Sequence, residues 1–247
     1  MQKKIVVHMY LKNGKAVTGF DGKELLEDGD VMSIAQHYSN NGADELLIFD
    51  LSDDDADHEQ SLNLIRQISR VIDIPMSGGG HIKNLEDVKK LLYAGCQQVF
   101  LNYAKAANID LTEEVSKRFG KEKIAICTDS FAQLQANKAR VNEYTSRVIL
   151  LCDEVDVRTT ARLVEVPVLP VSTRADRHGL LKLLMLDNIC GVCGDTFSDL
   201  NEDLMAAKLE AKKHGVEINT FESKMSWNEL KLNSDGMIPV VVQDYKN

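Results

Sequence analysis

Short apolar runs alternate with longer amphipathic ones through the first 216 residues. Residues 5–11, 45–51, 74–77, 99–102, 124–129, 148–153, 166–171 and 189–193 read as strands. Several are apolar nearly throughout, as strands covered on both faces are. Between them, residues 33–41, 60–72, 85–94, 111–119, 159–164, 178–186 and 200–214 carry helical spacing, and 132–141 a weaker form of it. Glycines at 42, 95, 120 and 215 stop four of these helices. Eight strand–helix units in a chain of this length predict a parallel sheet closed into a (β/α)8 TIM barrel.

An internal half-barrel repeat supports closure. Pro75, Lys90, Leu91 and Leu92 return at one constant offset as Pro167, Lys182, Leu183 and Leu184. The first copy holds the stretch around which the chain is organised, Ile74-Pro75-Met76-Ser77-Gly78-Gly79-Gly80-His81. Three glycines at a strand's carboxyl end either let main-chain N–H groups approach a phosphate or supply a turn of positive φ. In the second copy Pro170-Val171-Ser172-Thr173-Arg174 stands in their place, so one cradle is expected to survive and its mate to be lost. His81 either donates to a phosphate or plugs the cradle.

Composition narrows the class. Of 247 residues, 44% are hydrophobic and 27% charged, the balance of a soluble globular protein, and a net charge of −9 argues against nucleic acid as a partner. No apolar run is long enough to span a membrane and no leader-type segment opens the chain, so a cytoplasmic protein without a membrane partner is expected. Five scattered cysteines read as free thiols, and Cys190-Gly191-Val192-Cys193, inside a strand, as structural rather than zinc-binding. The acidic stretch 52–59 reads as a solvated loop or helix cap rather than a cation site, and His8 and His58 as packing residues.

Specific chemistry enters through a resemblance. Lys12-Asn13-Gly14-Lys15, Gly42-Ala43-Asp44-Glu45-Leu46, Phe49-Asp50, Ile74-Pro75 with its glycines, Glu86-Asp87-Val88, Ala94-Gly95 and Leu101-Asn102 together resemble the cyclase subunit of imidazole glycerol phosphate synthase. The ribotide isomerase of the histidine pathway is a close second. The likeness covers residues 4–129 and is architectural beyond 130. It implies a barrel with two phosphate sites holding a bis-phosphorylated ribonucleotide, and two acids across the mouth serving as general acid and base. The first acid falls on Tyr10, its partner on Asp129, a loop lysine on Thr18, the third glycine on His81, and a pair that faces a glutaminase on Gln97-Gln98. A phenol, with a reference pKa of about 10, is no carboxylate base at neutral pH.

The resemblance therefore implies Gly78, Gly79, Gly80 and Asn102 as phosphate-binding residues, Asp129 as the surviving catalytic acid, and Asp50 as a vestigial or alternative one. It also leads us to expect no metal or cofactor in the barrel and no glutaminase subunit. The tail, from Trp227 through Leu232, Gly236-Met237-Ile238-Pro239 and Val242-Gln243-Asp244, resembles the opening of phosphoribosyl-AMP cyclohydrolase. Residues 1–216 are then a barrel domain, and 217–247 a linker with the first strand of a truncated hydrolase. Divalent metal and homo-oligomer contacts would belong to the missing part. The expected function is a structural or ligand-binding N-terminal module of a histidine-biosynthesis hydrolase, with or without a phosphoribosyl-ATP pyrophosphohydrolase, whose barrel has lost turnover. A working cyclase or isomerase is the alternative, and a barrel that senses a pathway nucleotide at Gly79, Gly80 and Asn102 a third reading.

Overall fold

The computed structural model describes residues 2–27 and 29–220. Its strands are β1 (Lys4–Lys12), β2 (Lys15–Thr18), β3 (Glu24–Leu25), β4 (Glu45–Asp50), β5 (Met76–Gly79), β6 (Gln98–Asn102), β7 (Ile124–Thr128), β8 (Arg147–Leu151), β9 (Val168–Ser172) and β10 (Gly191–Gly194). The helices are α1 (Val31–Asn40), α2 (Asp55–Ile68), α3 (Leu85–Tyr93), α4 (Ala106–Phe119), α5 (Phe131–Ala136), α6 (Lys138–Tyr144), α7 (Val157–Leu163), α8 (Arg177–Leu183), α9 (Asp195–Ser198) and α10 (Leu204–Lys213).

β1 and β4 to β10 form one parallel sheet, and the pairing of β10 with β1 closes it into the expected (β/α)8 barrel. The antiparallel β2 and β3 extend β1 into a hairpin at the mouth. The half-barrel repeat is real at the level of one unit: β5 and α3 correspond to β9 and α8 at the offset read from the sequence.

Strand alternation divides the core. Ile5, Val7, Met9 and Leu11 face the helices, while Val6 and Tyr10 join Leu47, Phe49, Phe100, Ile149 and Leu169 in the lumen. Five helices, α1, α2, α7, α8 and α10, start at an aspartate whose side chain accepts the first free N–H groups, so much of the acidic excess caps helices.

Several expected boundaries move. α2 begins at Asp55, because Asp54 caps it and the acidic stretch forms its first turn. α4 begins at Ala106, five residues early, and the weak helix at 132–141 is two helices broken at Asn137. The short α9 carries no periodic signal at four residues.

At its amino-terminal end the lumen is sealed by charge. Glu45 receives two bonds from Arg147, at 2.9 and 2.6 Å, one from Lys4 at 3.2 Å and one from the Ser77 hydroxyl at 2.7 Å. The last helix is clamped by the fully buried Lys208, 2.6 Å from Asp44. Packing continues to Ile218, which is buried and bridges Lys3. The stretch 227–244, read as a cyclohydrolase opening, lies outside the described residues.

Candidate functional site

The carboxyl ends of β4 to β7 surround a cavity of about 380 Å³. Asp129, one residue past β7, is exposed on its wall, with Asn102 from the end of β6, Gly79 and Gly80 from β5, Lys12 from β1 and Lys105 from the turn before α4. Asp129 makes no hydrogen bond or ion pair among the described residues, and Lys105 has no acidic partner there. Lys12 pairs with the exposed Asp53 at 3.0 Å. Asn102 accepts from the Ala104 N–H at 2.9 Å, which fixes its side chain in the turn. A free ammonium, a glycine-lined backbone and a side-chain amide converge here, donors that suit a phosphate.

Three glycines were expected to contribute, and Gly78 does not. Alternation turns it towards α3, where a Cβ would lie 2.8 Å from the Cys96 sulfur, so its glycine is explained by packing on the helix side. Gly79 faces the lumen against the Phe100 ring. Gly80, at φ 111°, passes so close to the Asp50 carbonyl that no side chain fits. The backbone can thus come to the cavity surface at positions 79 and 80 only because both lack a Cβ. His81 turns its ring away, with Nδ1 3.1 Å from the Ser52 carbonyl and Nε2 2.8 Å from the Asp55 carboxylate. It neither plugs the cradle nor has a nitrogen left for a ligand, and forms its rim.

Asp50 is not the spare acid. The parity that puts Phe49 in the lumen puts Asp50 on the helix side, and its carboxylate is consumed there. His58 Nδ1 lies 2.5 Å from it, and the Ser52 hydroxyl and N–H also donate to it. The buried His58 ring stacks on His81 at 4.7 Å, so His58 organises the β4 loop beyond simple packing.

On the β1 side an aromatic wall bounds this cavity. Tyr10 stands at the end of β1, edge-on to Phe20 at 4.7 Å and tilted on Phe49 at 5.4 Å, and Phe49 continues to Phe100 at 5.0 Å. Its phenol oxygen is buried without a hydrogen-bond partner. Burial first, and then the Asp195 carboxylate, push the phenol well above its usual ionisation, so Tyr10 stays protonated at neutral pH.

Where the second cradle would lie, after β9, the chain's own Asp153 fills the place. It accepts from Ser172 Oγ at 2.5 Å, from the Thr173 N–H at 3.1 Å and from the Thr173 hydroxyl. Partial burial works against its charge, but the Ser172 and Thr173 bonds outweigh that and hold the carboxyl below its usual range. Arg174 is likewise paired, with Glu154.

Sequence reasoning missed Lys105, Asp153 and the pair formed by His8 Nε2 and Asp195, 3.1 Å apart. The last two join residues 19 or more positions apart on different elements, and no local pattern marks them. The five cysteines are free, and among the described residues no group of three His, Cys, Asp or Glu side chains is placed to hold a metal. No described helix is long and apolar enough to cross a membrane.

Comparison with known proteins agrees with this architecture. The family described as "Histidine biosynthesis protein" matches residues 4–187. Relatives named "Imidazole glycerol phosphate synthase subunit HisF" are 33% identical over 130 residues in Flavobacterium psychrophilum and 32% over 162 residues in Haemophilus influenzae. The matches cover 53% and 65% of this chain, and 52% and 60% of those relatives. In Helicobacter hepaticus a third is 34% identical over 132 residues, or 52% of this chain and 51% of the relative. The chain thus spans little more than half the length of the curated relatives it matches. Each relative is named as a subunit of a synthase, which overturns the expectation that no glutaminase subunit is engaged. With the family match running from β1 through α8 and the barrel closed around it, the chain belongs to the histidine biosynthesis protein family.

Proposed function

We propose that this barrel binds a phosphorylated ribonucleotide at its carboxyl-terminal mouth, in the manner of a cyclase, and has given up turnover. The phosphate lies against Gly79 and Gly80, met by Asn102 and by the unpaired Lys105, with Asp129 at the reacting end. One observation carries the loss of turnover: the position of the partner acid holds Tyr10, a protonated phenol inside an aromatic wall. General acid–base catalysis contributes roughly 10²–10⁴-fold when its groups are in place. Asp153 agrees with this reading, since a ligand carrying a phosphate at each end must displace that carboxylate to use the second cradle.

A second reading, a working synthase cyclase with a partner subunit, is favoured by the comparisons. The similarity to relatives named as synthase subunits supports it, and Asp129 stands ready in the cavity.

The full chain incubated with the bis-phosphorylated ribonucleotide of the cyclase reaction and an ammonium salt decides between them. Saturable binding is expected, with turnover roughly 10²–10⁴-fold below that of the relatives. Turnover at the relatives' rate, abolished in Asp129→Asn, decides for the second reading. The hydrolase reading of residues 217–247 is carried forward as part of the proposal. Hydrolysis of phosphoribosyl-AMP by a polypeptide extended past Asn247 supports it, and a longer chain without that activity removes it.

A further inference from the structure

On the far side of the Tyr10 and Phe20 rings lies a second cavity, of about 350 Å³, between β1, the hairpin and α9. None of the residues assigned to the phosphate lines it. Its charges have one sign: Glu27, Asp195 and Asp199 contribute carboxylates, and among the described residues no lysine or arginine is on its wall. Among the described residues Glu27 and Asp199 have no ion-pair partner, and Asp195 has only His8.

A hydrogen-bond network around His8 holds Asp195 in place. Ser198 Oγ accepts from the His8 main-chain N–H at 2.9 Å and lies 3.2 Å from His8 Nδ1. Nδ1 also lies 3.4 Å from Cys193 Sγ, and Nε2 is 3.1 Å from the Asp195 carboxylate. His8 thereby orients the Asp195 carboxylate at the cavity wall.

Acidic residues alone do not define a site, but Tyr10 adds an independent observation. It is 3% exposed, it lines this cavity, and its phenol oxygen has no hydrogen-bond partner. Buried polar groups in folded proteins are nearly always satisfied, so an orphaned hydroxyl in a cavity lined by carboxylates marks a missing partner. Val17, Leu26 and Leu200 supply an apolar wall.

The geometry points to a binding site for a small organic cation, a primary ammonium on a compact apolar body. Its N–H groups donate to Asp195, to the Tyr10 oxygen and to Glu27, while the body rests on the apolar wall. A bare metal ion does not match, because the described residues hold no cluster of three metal-type ligands and the space exceeds one ion. The site is independent of the phosphate reading.

Calorimetric titration of the full chain with n-butylammonium at low salt tests it, with n-butanol and butyrate as neutral and anionic counterparts. One saturable site for the ammonium is expected, with the alcohol at least about tenfold weaker and no binding of butyrate. Asp195→Asn is expected to weaken the ammonium by about tenfold or more. Glu27→Gln, an isosteric change at an exposed position, is expected to weaken it several-fold. Tyr10→Phe separates site from scaffold: it should lower affinity while raising the unfolding temperature of the ligand-free protein. Absence of saturable binding, equal binding of the alcohol, or an affinity indifferent to both Glu27→Gln and Tyr10→Phe would overturn the proposal.

Discussion

At the amino-terminal end of the lumen Glu45 is met twice by Arg147 and once each by Lys4 and Ser77, whereas at the carboxyl-terminal end Asp129, Lys105 and the Tyr10 hydroxyl meet nothing among the described residues. Both ends are polar layers in the same small barrel. They differ in whether the charged groups answer one another. Groups that do so stabilise the fold and leave little for a ligand; groups left open are tolerated where a ligand completes them. The open end is itself divided. Around β5 to β7 the donors stand free, while around β8 to β10 the chain has filled its own cradle with Asp153.

The sharpest way to break this contrast is to unmatch the closed end. Arg147→Met strands a buried carboxylate and should cost about 3–5 kcal/mol in urea unfolding. Replacing both partners, Glu45→Leu with Arg147→Met, should recover most of that loss. The pH response follows. Burial disfavours the Glu45 charge, but the Arg147 guanidinium more than compensates and holds its carboxyl at about 2, below the usual 4.5. Its contribution is therefore fully present above pH 4.5 and is lost as pH falls towards 2, so the wild-type urea midpoint should drop through that window more than the double variant's.

At the open end the expected effects are on binding. Asp153→Ala empties the second cradle and should tighten a bis-phosphorylated ligand roughly ten- to a hundredfold by calorimetry, since charge-assisted bonds to Ser172 and Thr173 become available. Lys105→Glu, on the surface, should weaken phosphate ligands by about tenfold with little change in unfolding temperature. Smallest is Tyr10→Phe, which removes an orphaned buried hydroxyl and should stabilise the ligand-free protein by about 1 kcal/mol.

How far these features could be read in the sequence depends on how local they are. The strands, most helices and barrel closure follow from period and spacing, and Gly95 and Gly120 marked helix ends because the physics acts within a few residues. Parity at the ends of β4 and β5 was invisible: a strand apolar on both faces does not say which residues look inward. Gly78 and Asp50 were misassigned for that reason, both being on the helix side. The Glu45–Arg147 latch spans 102 positions, and the Asp153 plug and the His8–Asp195 pair join separate elements, so only the closed barrel brings them together. Tyr10 was legible as a substitution, yet its isolation from any partner belongs to the folded lumen.

Calorimetric titration of the full chain with ribose 5-phosphate addresses the division of the mouth most directly. One phosphate site per chain is expected, weakened by Lys105→Glu and indifferent to Ser172→Ala. Two sites in the wild-type chain, or a single site that ignores Lys105 and depends on Ser172, would contradict it.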